Sequence, residues 1–143
     1  MLDKRYYEGY EGEGEVKVWS DENGNENGMV IWSGFFDTIL EGCFSSKFQK
    51  NGIVECYFHQ DGFYDDKWEM KYPCIVLEEL KRFNENLLDT RDKEIINKSK
   101  EVIEQLVSFI SIAVRNKRII YCCYTSRRFK EKYFNSCCWS YYL

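Results

Sequence analysis

One stretch constrains this chain more than any other. From residue 95 to 114 the sequence sets Ile95, Ile96, Ser99, Val102, Ile103, Leu106, Val107, Ile110, Ala113 and Val114 at i, i+3, i+4 and i+7 spacing. A stripe sustained over about six turns dictates an amphipathic helix with one face in a core. That helix is expected to end near Asn116, and the rest of the chain must supply the surface it buries. A second stripe, Val76, Leu80, Phe83 and Leu87, follows Pro73, a residue suited to a helix start. The two are joined by Asp89-Thr90-Arg91-Asp92. Phe35, Phe36, Ile39, Leu40, Cys43 and Phe44 predict a shorter helix with Asp37 in its first turn, a strand being the competing reading. Stripes of this kind build cores far more often than cofactor or partner grooves.

The remaining apolar runs read as strands. Residues 10–19 alternate, with Tyr10, Gly12, Gly14, Val16 and Val18 on one face and Glu11, Glu13, Glu15, Lys17 and Trp19 on the other. Glycines 12 and 14 weaken that strand and point to a bulge. Residues 29–32 are apolar on both faces, as in a central strand. Between the two runs lies the acidic loop SDENGNEN, whose Asn and Gly tolerate the positive φ of tight turns. Its length predicts a protruding tip. Residues 53–58 and 63–70 read as a further pair of strands about the turn Gln60-Asp61-Gly62, and residues 118–124 (RIIYCCY) as a last one. No repeat or domain boundary interrupts the chain. The expectation is one α+β domain over residues 1–143, a small antiparallel sheet with two or three helices packed on one face.

Composition narrows the function classes. A chain of 143 residues buries enough surface to fold without metal or disulfides. Seven cysteines at irregular spacing are a poor disulfide framework and read as small buried side chains. No run is apolar enough to span a bilayer. The acidic, glycine-rich residues 1–15 lack a signal-peptide pattern, so a cytoplasmic location is expected. The net charge of −4 is unevenly spread. Residues 1–76 hold 7 Lys/Arg against 15 Asp/Glu, and residues 77–143 hold 13 against 9.

Chemistry is hard to find. His59 is the single histidine, which removes relays that need two imidazoles. Cys56 lies close to it, but at strand spacing the two point to opposite faces. The adjacent pairs Cys122-Cys123 and Cys137-Cys138 lack the two-to-four-residue separation that lets two thiolates wrap one zinc ion. The Gly-Glu-Gly-Glu run has neither the lysine nor the hydroxyl of a phosphate loop. Asp61, Asp65 and Asp66 lack the spacing of a calcium loop. No cofactor, no metal and no catalytic set is expected.

Binding is what remains. The seventeen per cent of aromatic residues and the acidic first half fit a protein partner that is itself basic. The expected partner-binding residues are Glu11, Glu13, Glu15, Trp19, Asp21, Glu22 and Glu26. Trp19 is either an exposed anchor among the glutamates or a side chain covered by the basic tail or a helix. The alternative is a nucleic-acid-binding accessory protein using residues 115–132, where Arg115, Lys117, Arg118, Arg127, Arg128, Lys130 and Lys132 interleave with Tyr121, Tyr124, Phe129 and Tyr133.

From Trp32-Ser33-Gly34-Phe35-Phe36, through Cys74-Ile75-Val76-Leu77-Glu78-Glu79-Leu80-Lys81-Arg82-Phe83, to the long helix, the chain resembles immunity proteins of bacterial polymorphic toxin systems in size, charge and layout. That resemblance implies a non-enzymatic cytosolic protein that neutralises one cognate toxin by covering its active or substrate-binding surface. It carries over no individual functional residue, and the basic tail departs from a uniformly acidic inhibitor.

Overall fold

The long amphipathic helix forms as its stripe requires. In the computed structural model, which describes residues 1–44, 49–59, 63–64 and 66–125, helix α4 spans Lys93–Arg115. Asp92 starts it, its carboxylate accepting hydrogen bonds from the amides of Glu94 and Ile95. Ser99, Val102, Leu106, Ile110 and Ala113 are buried along one face. The other elements, in chain order, are β1 (Leu2–Asp3), β2 (Glu15–Glu22), β3 (Asn25–Trp32), α1 (Ser33–Cys43), α2 (Ile53–His59), β4 (Trp68–Glu69), α3 (Pro73–Lys81) and, after α4, β5 (Tyr121–Thr125). A 3-10 turn, Glu85–Leu87, links α3 to α4.

The architecture is α+β. The five strands form one sheet in the order β1-β3-β2-β5-β4, antiparallel except where two-residue β1 runs parallel to β3. Register builds its core-facing side: Val16 lies opposite Ile31, and Val18 opposite both Met29 and Cys122. These five join Phe36, Ile39 and Leu40 of α1, Val76 and Leu80 of α3 and the α4 stripe in one apolar cluster.

The β2–β3 hairpin is tighter than its loop length predicts. Pairing continues to Glu22 and Asn25, leaving Asn23 and Gly24 as the turn. Both have positive φ, 51° and 80°, the requirement of the two-residue turn whose twist matches paired strands. The protruding acidic loop is therefore corrected to strand and a two-residue turn.

Four other expectations change. Residues 10–14 are not strand: the chain coils through successive turns, with Tyr10 N–H donating to the Tyr7 carbonyl and Glu13 N–H to that of Tyr10. The Tyr10 ring stacks on Trp32 at 3.9 Å, so an aromatic contact holds this segment instead of a ladder. Residues 53–58 are helix, not strand. The carboxylate of Glu79 accepts from the Ile53 amide at 2.7 Å and also bonds the Val54 amide, meeting the open donors of the first turn of α2. Residues 63–70 pair only through Trp68–Glu69 and a bridge from Tyr64 to Tyr124. The stripe of α3 also ends early, because the helix stops at Lys81 and leaves Leu87 half exposed in the 3-10 turn.

Candidate functional site

The residues singled out from the sequence do not form one patch. Glu11, Glu13 and Glu15 sit where β2 begins, and Asp21, Glu22 and Glu26 sit around the hairpin turn, seven strand positions away. At the usual rise that is about 23 Å. Glu11, Glu13, Asp21 and Glu26 are exposed. Glu22 is paired with Arg118 at 2.8 Å and Glu26 with Lys17 at 2.7 Å. Of the two readings left open for Trp19, an exposed anchor or a covered side chain, the structure has the covered one, 6% accessible. Lys17 Nζ lies 4.1 Å from its ring and the Tyr121 ring 5.6 Å away. Of the basic segment, Arg118 is engaged by Glu22, while Arg127, Arg128, Lys130 and Lys132 fall outside the described residues.

A different concavity stands out. It is a groove of roughly 710 Å³ bounded by α1, α2 and the 3-10 turn. Helix α1 presents Asp37, Leu40 and Glu41 to it, an i, i+3, i+4 face, and Phe44, the extended residue that ends the helix, adds its ring. Tyr57 and Phe58 come from α2, with Tyr64, Leu87 and Asp89 completing the lining. Phe44, Phe58, Tyr64 and Leu87 are 45–57% exposed, an unusual gathering of large apolar side chains at a surface. Three carboxylates, Asp37, Glu41 and Asp89, line the same groove.

Its walls are well held. The Tyr57 ring meets Phe63 and Phe58 edge-on at 5.4 and 5.3 Å and lies tilted against Phe36 at 5.8 Å. Glu41 accepts the Asp89 amide at 2.6 Å, tying the end of the 3-10 turn to α1. The Tyr57 hydroxyl donates to Asp37 at 3.4 Å, and the Tyr64 hydroxyl to that of Tyr57 at the same distance. Burial pushes the Asp37 carboxyl above its ordinary range, against the opposing pull of the Tyr57 hydrogen bond. The Tyr57 phenol is pushed up first by burial and next by the bond from Tyr64.

Tyr64 also connects the groove to part of the expected site. Its ring packs edge-on against Tyr124 at 4.8 Å, and Tyr124 pairs with Val16, next to Glu15. Ser33, where α1 begins, donates its amide to the carbonyl of Gly14. Glu11, Glu13 and Glu15 therefore flank the end of the sheet from which the Asp37 turn rises. Asp21, Glu22 and Glu26 lie at the far end.

The cysteines divide by burial. Cys43, Cys56 and Cys122 are buried, and burial pushes the first two thiols to about 12 and that of Cys122 higher still. Thiols held neutral in this way are poor nucleophiles. Because residues 53–59 are helix, Cys56 faces the core for helical rather than strand reasons. Cys122 and Cys123 do point to opposite faces of β5. Among the described residues, no three His, Cys, Asp or Glu side chains gather to hold a metal ion, and no helix is long and apolar enough to cross a membrane. Comparison with family models, curated proteins and solved structures gives no match to this chain.

Proposed function

We propose that this chain is a non-enzymatic, cytoplasmic protein-binding module, acting as an immunity protein that neutralises a cognate toxin by stoichiometric binding. The groove carries the proposal. Half-exposed Phe44, Phe58, Tyr64 and Leu87 around three carboxylates make a surface that is apolar enough for affinity and acidic enough to choose a basic partner. Glu11, Glu13 and Glu15 extend the same field at that end of the molecule, and act in encounter rather than in the contact itself.

The tagged chain is used to capture its partner from its own cell lysate, with nuclease treatment and raised salt as separate steps. The captured protein is then expressed alone and together with the chain. The expected result is a single protein, retained after nuclease treatment, that is toxic alone and harmless with the native chain. Phe58→Glu and Leu87→Glu should each weaken the complex about 30-fold or more, as losing an interface anchor does, with thermal stability unchanged. Neutralisation by both variants at native strength would remove the groove reading. Loss of all captured material on nuclease treatment would favour nucleic-acid binding through residues 115–132.

A further inference from the structure

Resting on the protein-binding reading, we infer that an arginine of the partner protein seats its guanidinium in the groove, stacked among Tyr57, Phe58 and Tyr64 with Asp37 as its counter-charge. Several acids elsewhere on the surface already have cations. Asp3 is held by Arg5, Glu22 by Arg118, Glu26 by Lys17 and Glu85 by Lys100, all at 2.7–2.8 Å. Among the described residues, no lysine or arginine pairs with Asp37, Glu41 or Asp89. Glu41 is committed to the Asp89 amide at 2.6 Å. Among the described residues, Asp37 accepts one long hydrogen bond, from Tyr57 at 3.4 Å, and so keeps acceptor capacity facing the groove.

The lining selects the cation. Aromatic side chains from α2 and the Tyr64 bridge stand beside Asp37, and a planar guanidinium both stacks on such rings and donates two parallel hydrogen bonds to a carboxylate. An ammonium is a compact, strongly hydrated charge that gains less from the same walls. A divalent metal is a poor match, since a hard cation calls for several oxygen ligands and, among the described residues, no three acidic, histidine or cysteine side chains gather to hold one. The apolar remainder of the groove, Phe44 and Leu87, is too extensive for a small cation alone. It suits the apolar neighbours that flank an arginine in a protein segment.

The test uses the full-length, isotope-labelled chain and two blocked peptides, acetyl-Leu-Arg-Leu-amide and its citrulline counterpart, which keeps the shape of arginine without the charge. Amide chemical shifts are followed by NMR. The arginine peptide should move resonances of α1 and α2, and the citrulline peptide should bind roughly tenfold more weakly, the scale of a charge-assisted hydrogen bond. Asp37→Asn should lower arginine-peptide affinity by a similar factor and leave the citrulline peptide unaffected. Equal binding of the two peptides, or no effect of Asp37→Asn, overturns the inference. So would severalfold tighter binding of the arginine peptide to an Arg127→Gln, Arg128→Gln chain, because the occupant would then be the protein's own C-terminal segment. The two readings fail separately. Full toxin neutralisation by Asp37→Asn, with failure of Phe58→Glu, would keep the groove and discard the arginine. Full neutralisation by Phe58→Glu and Leu87→Glu would discard the groove.

Discussion

Glu79 lies 26 residues from the helix whose first turn it completes, and it is 3% accessible. Its carboxylate accepts the Ile53 amide and bonds that of Val54, yet burial still raises its pKa above the ordinary 4.5, since no hydrogen bond fully replaces lost water. Arg82 partly offsets this, while Glu55 adds to it. A carboxyl raised on folding contributes stability that is complete below pH 4.5 and is lost as pH rises through the folded-state pKa. Glu79→Gln should therefore flatten the fall in stability from pH 4.5 toward neutrality, read by thermal unfolding across that range. Glu79→Ala should cost about 1–3 kcal/mol at any pH, because two buried donors lose their acceptor. A steeper pH profile in the Gln variant would refute the assignment. Ser99 presents the opposite case. Its hydroxyl is fully buried in α4 with no hydrogen-bond partner among the described residues. Ser99→Ala removes that orphan and improves helix propensity, so urea unfolding should show a gain of about 0.5–1 kcal/mol.

At the level of elements, what could be read from the sequence depended on how local the determining interactions are. Helix α4 carries its own evidence: a long stripe, the Asp92 cap and an end at Arg115. Asp92→Ala should lower stability by about 1 kcal/mol in chemical denaturation, the usual cost of losing such a cap. Helix α1 and the start of α3 at Pro73 were legible for the same reason, as were Val16 and Val18 facing the core. Helix α2 was not. Its run Ile53-Val54-Glu55-Cys56-Tyr57-Phe58 favours a strand by local preference, and the carboxylate that favours the helix comes from α3. Residues 10–14 misled in another way. Their alternation is genuine, but positive φ at Gly9 and Gly12, 90° and 95°, and the Tyr10–Trp32 stack turn the chain away from a ladder. The groove was illegible as a whole, because Phe44, Phe58, Tyr64 and Leu87 come from four separated segments, one of them misread as strand.

Across the whole molecule, charge is arranged by position in the fold rather than by position in the sequence. The acidic first half is not one acidic face. At the hairpin end, Glu22 and Glu26 are neutralised by Arg118 and Lys17. At the other end, exposed Glu11 and Glu13 belong to the segment beside the start of α1, the helix that carries Asp37 and Glu41 into the groove. The two ends should accordingly act differently on association with the proposed basic partner. Glu11→Lys with Glu13→Lys reverses charge outside the contact, where field strength governs encounter, so the association rate should fall severalfold while the dissociation rate barely changes. Raising ionic strength from about 0.05 M to about 0.3 M should narrow that difference, since salt screens solvent-exposed charges that act at a distance. Phe58→Glu should do the reverse, raising the dissociation rate with a smaller effect on association. Reversal at Asp21, on the distant hairpin turn, should leave both rates nearly unchanged. Surface-based kinetics at the two salt concentrations reads all three variants. If Asp21→Lys slowed association as much as the Glu11, Glu13 pair, the partner would be drawn to the hairpin end, and the groove would lose its electrostatic support.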